Sequence, residues 1–207
     1  MHSRKIERAV RAEFIFLKFN HTFMYCRFAV TLIFCIVSQI AFTQTVPPIQ
    51  WQHEMGGSLD DIAYDVVQTS DQGFILVGGS TSGDGDILKP ASPEHGGNYD
   101  YWITKIDGAS NFQWKRHLGG TGSDLASSVF QTADGGYIVG GSSSSNDIDV
   151  TGNHGDYDYW IVKLVDAGIV QWSKSIGGSA YEDFGSMRLL QNGDFILSGG
   201  SQSNNGD

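Results

Sequence analysis

Carboxylates spaced two residues apart recur in the loops of this chain and could ligate a cation. The pairs are Asp84/Asp86 and Asp147/Asp149, each in a loop rich in Gly, Ser and Asn. Ca²⁺ takes about six to eight oxygen ligands, and such pairs can converge on it. The bidentate Glu that closes an EF-hand loop does not follow either pair. Two interpretations stay open, a calcium site and a solvated acidic turn that keeps a sheet edge soluble. No other cofactor is expected.

Histidines stand late in the same loops, as His95-Gly96 and His154-Gly155. The two lie on different repeats and have no His or Cys nearby in sequence, so the local spacing of a zinc site is missing. The chain also lacks a Gly-x-Ser-x-Gly elbow, a phosphate-binding loop and a His-Glu-x-x-His motif. Its acidic residues recur from unit to unit, whereas a catalytic pair belongs to one place. We therefore expect turn histidines and no catalytic residues.

The elements that position these residues form a repeat. Tryptophan recurs with a Gly-Gly pair five and six residues later, an acid ten residues later and an aromatic residue twenty-three later. The steps between the tryptophans are 63 and 58 residues, and a period of this size indicates a repeat architecture. The corresponding positions are Trp51, Trp114 and Trp172; Asp61, Asp124 and Glu182; and Phe74, Tyr137 and Phe195.

Each unit contains four short runs rich in aromatic and β-branched residues, separated by Gly, Asn, Asp and Ser, and these runs predict strands. Nothing after residue 44 resembles a long amphipathic helix. The expected fold is all-β, a β-propeller-like repeat of four-stranded antiparallel blades present as about two and a half units. Residues 45–207 form the repeat region, with units at about 51–113, 114–171 and 172–207.

The third strand of each unit carries Asp-Tyr-Trp, at residues 100–102 and 158–160. These aromatic residues could form a sugar-binding platform. Neighbours in a strand face opposite sides, however, which favours a core Trp and a half-exposed Tyr. We likewise expect Trp114 and Trp172 to occupy equivalent buried positions.

Residues 1–44 are predicted to be a signal or targeting segment. A basic stretch precedes an apolar run at 28–40, which is short for a bilayer span and suits the core of a secretion signal. Met24 is the better start, and cleavage is expected near residues 43–44. An uncleaved anchor is the alternative. Both cysteines, Cys26 and Cys35, fall here, so the mature chain would have no disulfide.

The repeat region is acidic. Of 13 basic and 23 acidic residues in the chain, 6 and 2 precede residue 45, which leaves 7 and 21 and a formal charge of −14. Nucleic acid and anionic membrane surfaces attract positive charge, so neither is an expected partner. A glycan or another surface protein is compatible with this charge.

Three phrases carry a resemblance to a known group: residues 113–120 (QWKRHLGG), 131–142 (QTADGGYIVGGS) and 155–164 (GDYDYWIVKL). Over about residues 49–207 the chain resembles secreted, propeller-like repeat proteins of the type IX secretion pathway, which usually end in a sorting domain. The Thr-x-Asp-x-Gly-aromatic turns are similar to the Asp-box hairpins of sialidase-type propellers. The third unit departs from them, with Asn192 for the Asp and Asp194 for the Gly.

The resemblance implies an extracellular or surface location and little about activity. We expect a binding or scaffold module without catalysis. The alternatives are the repeat region of a carbohydrate-active enzyme, endoglucanase-like or sialidase-like, and a lectin-like glycan binder. Two and a half units cannot close a ring, because propellers have at least about four blades. The sequence is therefore interpreted as a fragment, the alternative being that another chain covers its open edges.

Overall fold

The computed structural model describes residues 12–17, 47–87 and 98–206. Within these ranges the regular structure consists of twelve β-strands, and no helix long and apolar enough to cross a membrane is found. The strands are β1 Ala12–Leu17, β2 Ile49–Met55, β3 Asp61–Gln68, β4 Phe74–Ser80, β5 Asp100–Ile106, β6 Phe112–Leu118, β7 Asp124–Gln131, β8 Tyr137–Ser143, β9 Asp158–Leu164, β10 Val170–Ile176, β11 Glu182–Leu189 and β12 Phe195–Ser201.

The chain divides into two compact units. Of the described residues, 13–17 and 47–53 belong to one, and β1 pairs with β2. Strand β1 thus lies within the stretch predicted to be a targeting segment; the rest of residues 1–44 and His95 lie outside the described residues. The second unit contains Ala12 and, of the described residues, 54–87 and 98–206, and it holds the repeats.

The repeats form three antiparallel sheets. Sheet 1 has the order β3-β4-β5-β6, sheet 2 the order β7-β8-β9-β10, and sheet 3 contains only β11 and β12. The predictions of an all-β chain and of four strands per complete unit are confirmed for the described residues. The three sheets do not close into a ring, so a propeller remains a hypothesis.

The sheets are out of phase with units counted from each tryptophan. Trp114 lies in β6, the last strand of sheet 1, and Trp172 lies in β10, the last strand of sheet 2. The Gly-Gly pair that follows each tryptophan therefore belongs to the connection between sheets. A sequence period does not reveal where one sheet ends, because any starting point gives the same repeat length.

The first hairpin of every sheet has the same geometry. The first strand carries a bulge in each case, between Ala63 and Asp65, Ala126 and Ser128, and Phe184 and Ser186. The turn places one residue at positive φ: Gln72 at 67°, Gly135 at 84° and Gly193 at 90°. Asn192-Gly193, a pair that favours tight turns, therefore preserves this geometry in the third unit.

The core lies between successive sheets. The largest cluster joins Ile75, Val77, Tyr101 and Ile103 of sheet 1 to residues of sheet 2 that include Val139, Trp160, Val162 and Leu164. A second cluster joins Phe130, Ile138 and Ile161 of sheet 2 to Phe184 and Met187 of sheet 3. Alternate residues of β9 thus face opposite neighbours, as the alternation of its sequence predicts.

Candidate functional site

The acid that begins each first strand is buried at the connection between sheets. Asp124, fully buried, accepts hydrogen bonds from the Ser143 hydroxyl, from Ser145 Oγ at 2.8 Å and from the Gly120 amide at 2.8 Å. Burial raises the pKa of Asp124, although these hydrogen bonds act to lower it. The carboxylate thereby fixes the glycine connection to the second strand of its own sheet.

The same arrangement appears in the other two units. Asp61 accepts from Ser80 Oγ at 2.5 Å and the Gly57 amide at 2.6 Å. Glu182 accepts from Ser201 Oγ at 2.8 Å and the Gly178 amide at 3.0 Å. Burial works to raise the pKa of Glu182, but its hydrogen bonds together lower it. An acid recurs at each of these connections, and its carboxylate oxygens accept hydrogen bonds from nearby residues of the same unit. Such an acid is suited to fixing the connection between sheets.

The four carboxylates predicted to bind calcium also have partners within the chain. Asp84 Oδ1 accepts from the Ser58 amide at 2.8 Å, and Asp147 Oδ1 accepts from the Thr121 amide at 2.9 Å. Asp149 Oδ2 accepts from the Gly119 amide at 3.2 Å. These donors belong to the segments that follow the tryptophan strands, so the acids tie each loop to the connection beside it.

The remaining carboxylate, Asp86, forms an ion pair with Lys115 at 3.1 Å. In the described part of the chain no group of three or more His, Cys, Asp or Glu side chains is placed to hold a metal ion. A cation at either pair would compete with N–H donors or with the ammonium group. The geometry therefore gives the two acidic pairs a role in fixing loops.

One of the two loop histidines is described. The His154 ring lies 2.9 Å from Asp158 Oδ2, and its backbone amide donates to the same oxygen at 2.9 Å. Asp158 is fully buried at the start of β9. In sheet 1 the equivalent Asp100 has a different histidine beside it, His117 of β6, at 3.3 Å. The histidines thus accompany buried aspartates at two successive sheet ends.

The sequence analysis did not single out two lysines that the structure buries. Lys105 is 2 % exposed, and its ammonium group donates to Asp71 Oδ2 at 2.9 Å and to Gln113 Oε1 at 2.8 Å. Lys163 repeats the pattern with Asp134 Oδ1 at 2.8 Å. The signal was a lysine at the same place in two third strands that otherwise contain mostly apolar residues.

These lysines explain the Thr-x-Asp-x-Gly turns. Asp71 accepts from Thr69 Oγ1 at 2.5 Å as well as from Lys105, and these bonds lower its pKa well below the usual range. Lys163 and then Thr132 lower the pKa of Asp134 in the same way. Each turn aspartate therefore joins the first hairpin to the third strand of its own sheet.

The Asp-Tyr-Trp strands confirm one expectation and correct another. Trp102 and Trp160 are buried, as predicted. Tyr101, predicted to be half exposed, is fully buried: its ring lies 4.6 Å from the Trp160 ring, and its hydroxyl donates to Trp160 O at 2.8 Å. The expectation fails because a second sheet covers this face of β5, which alternation within one strand does not reveal.

The prediction that Trp114 and Trp172 are equivalently buried is wrong. Trp114 packs on Tyr137 of sheet 2 at 5.7 Å, and its Nε1 donates to Asp166 O, in the turn between β9 and β10, at 2.8 Å. Trp172 is 41 % exposed. Sheet 3 as described contains no counterpart of that turn, so the tryptophan of sheet 2 has no equivalent cover.

A groove that is not repeated runs over the ends of the three sheets. It has a volume of about 330 Å³. Tyr157 and Tyr181 pack against each other at 5.2 Å within it, and Tyr64 is 52 % exposed. Ser127 and Gly185 replace Tyr64 in the later units, and Asp60 and Ser123 replace Tyr181 in the earlier ones. The groove is lined by Tyr64, Leu125, Ser127, Ser142, Tyr157, Tyr181, Asp183 and Phe184.

No protein-family model matches the chain, and no curated protein is significantly similar to it.

Proposed function

We propose that this chain is a secreted or cell-surface β-repeat protein that acts as a binding and scaffold module without catalytic activity of its own. The observation that carries the proposal is the use of the repeated acids. Asp61, Asp124 and Glu182 are buried and hydrogen-bonded at the sheet connections, and the loop and turn acids bind backbone amides or lysines. Residues engaged in this way in every unit build a framework.

The location rests on sequence features. A basic and then apolar segment precedes the acidic repeat region, which is the order found in secretion signals. Intact-mass measurement of the protein from its own cells and culture medium tests this. We expect secreted material that begins near Gln44 or Thr45. Retention of residues 24–43 on membrane-associated protein favours the anchor, and a full-length protein in the cell interior contradicts the proposal.

A glycan is the ligand that the tyrosine groove favours. Tyrosine rings combine an apolar face with a hydroxyl group, which suits the faces and hydroxyls of a sugar. Asp183 and Ser127 add polar groups at the same place. Because Tyr64 and Tyr181 have no tyrosine at the equivalent positions of the other described repeats, this groove is set apart from the recurring framework.

Titration with a panel of neutral oligosaccharides, followed by tyrosine fluorescence and calorimetry, tests the groove. We expect binding that Tyr181→Ala weakens about tenfold, the loss of one stacked ring. The control is Trp172→Ala, since Trp172 is an aromatic residue that is 41 % exposed and does not line the groove. An equal loss of oligosaccharide affinity in both variants contradicts binding in the groove. Release of reducing sugar would favour the carbohydrate-active enzyme instead.

A further inference from the structure

A cavity other than the tyrosine groove lies between sheets 1 and 2, beside their hairpin turns. Its volume is about 510 Å³, and it shares no lining residue with the tyrosine groove. Asp71 and Asp166 line it from the turns after β3 and β9. Trp114 lines it from β6, and Tyr137 lines it from the start of β8. Both of its walls therefore belong to four-stranded sheets.

The Tyr137 side chain is 2 % exposed, and its hydroxyl group makes no hydrogen bond with the described residues. The equivalent positions of the other two units hold Phe74 and Phe195. The repeat thus needs an aromatic ring here but no hydroxyl group. A buried polar group without a partner is unfavourable. The hydroxyl group is therefore not explained by the recurring framework, and it lines a cavity large enough for a ligand.

The groups that surround this hydroxyl group are rich in hydrogen-bond acceptors. Burial first, and then the charges of Asp71 and Asp166, raise the pKa of Tyr137 to about 12. Within the described part of the chain, the Asp166 side chain accepts only from the Ala167 amide, at 2.8 Å through Oδ1. Oδ2 of Asp166 and the Tyr137 oxygen are thus open to a donor from a ligand.

Lys105, the cation among the lining residues, has no N–H group left for an anionic ligand. Its ammonium group donates to Asp71 Oδ2 at 2.9 Å and to Gln113 Oε1 at 2.8 Å. It also donates to Ile106 O at 3.1 Å, and these acceptors match its three N–H groups. Asp71 and Asp166 outnumber Lys105 by one negative charge. The cavity therefore favours a cation over an anion.

We propose that this cavity binds a primary ammonium group on an alkyl stem, the chemistry of a lysine side chain or of a free alkylamine. An ammonium group has three donors and no acceptor, which matches the open oxygens of Tyr137 and Asp166. The stem packs against the rings of Trp114 and Tyr137, whose centroids lie 5.7 Å apart. The site does not depend on glycan binding at the tyrosine groove.

Titration of the full chain with n-butylammonium chloride at neutral pH tests the site. Nuclear magnetic resonance is expected to show a saturable shift of the Trp114 indole N–H signal. 1-Butanol has the same stem without the charge and should cause no such shift. Nα-acetyl-lysine amide distinguishes the two sources of the ligand. Binding of both amines assigns the site to lysine side chains, and binding of butylammonium alone assigns it to free alkylamines.

Two substitutions and a control locate the binding. Tyr137→Phe introduces the residue that the other units carry, so the fold is retained, and we expect the affinity for butylammonium to fall about tenfold. Asp166→Asn keeps an acceptor for the Ala167 amide and removes the charge, with a similar expected loss. Asp156→Asn is the matched control, because Asp156 is an exposed acid that does not line the cavity. It should leave the affinity unchanged.

Four results would each overturn the proposal. They are the absence of a saturable shift with either amine, an equal shift with 1-butanol, an unchanged affinity in Tyr137→Phe, and an equal loss of affinity in the two Asp→Asn variants. The last result would mean that the net charge of the chain, and not this cavity, attracts the amine. Urea unfolding of Tyr137→Phe should give the wild-type midpoint, which separates lost binding from lost structure.

Discussion

Lys105 is a buried cation whose charge is balanced at the surface. Its ammonium group is enclosed by the third and fourth strands, whereas its partner Asp71 is about half exposed. Removing the partner leaves a buried charge, and removing the lysine leaves an acid that water can solvate. Removing Asp71 and removing Lys105 are therefore expected to lower the free energy of unfolding by different amounts.

We expect Asp71→Ala to lower the free energy of unfolding more than Lys105→Met does. The loss reflects a buried ammonium left with fewer acceptors, about 1–3 kcal/mol. Lys105→Met keeps most of the packing volume. Urea unfolding of both variants measures the difference, and Asp71→Asn, which keeps an acceptor in the turn, is the control. A larger loss for Lys105→Met would contradict this account.

The turn aspartates also predict how stability depends on pH. Hydrogen bonds from Thr69 and Lys105 lower the pKa of Asp71, and those from Lys163 and Thr132 lower that of Asp134. A lowered pKa in the folded state stabilises it above the unfolded pKa, near 4. That contribution is lost as pH falls through the folded value.

We therefore expect the urea midpoint to fall between about pH 4 and pH 2. The double variant Asp71→Asn, Asp134→Asn should have a flatter profile over that range. Asp124 works in the other direction, because burial raises its pKa and its contribution is lost as pH rises. Asp124→Asn should accordingly not flatten the acid side. If wild type and double variant have the same profile, groups other than Asp71 and Asp134 cause the loss of stability in acid.

At the scale of the element, the first hairpin of each sheet depends on one backbone position. Gly135 has φ 84°, and the nearest atom to an added Cβ would be 3.9 Å away, which is ordinary contact. Space is therefore available, and the requirement is conformational. L-residues other than Asn and Asp rarely adopt this region.

Gly135→Ala is expected to cost about 1–2 kcal/mol of unfolding free energy through backbone strain alone. Gly135→Asn should cost clearly less, since Asn tolerates positive φ. Chemical denaturation of the two variants compares them directly. Equal losses would indicate that side-chain crowding, and not φ, limits this position.

At the scale of the whole molecule, each sheet stabilises the one before it. Trp114 receives cover from Tyr137 and from the turn at 166–168, while Arg116 donates to Ala167 O at 3.1 Å. Gly168 lies under the indole, where an added Cβ would be 2.7 Å from the ring. Trp172 has the same place in its repeat and lacks this cover.

Trp114→Ala should therefore lower the free energy of unfolding by about 2–3 kcal/mol, and Trp172→Ala by less than about 1 kcal/mol. Acrylamide should quench the fluorescence of Trp172 more readily than that of Trp114, as single-tryptophan variants can show. Comparable losses for the two alanine variants would mean that the contact between sheets contributes little to stability.

The sequence by itself determined the β-strands and the turns between them. Alternation and β-branched residues mark β3, β5 and their repeats, and Asp, Asn and Gly mark the hairpins, because these signals act between near neighbours. The period also indicated a repeat architecture. Alternation also predicts that neighbouring residues of β9 face opposite sides of the sheet.

Only the tertiary structure decided which repeated residues are covered. Tyr101 and Tyr159, or Trp114 and Trp172, have equivalent places in the sequence but differ in burial because the next sheet is complete for one and not for the other. It also decided that the paired acids of the loops bind amides and a lysine. Burial and partnership depend on residues distant in sequence, which a local pattern does not contain.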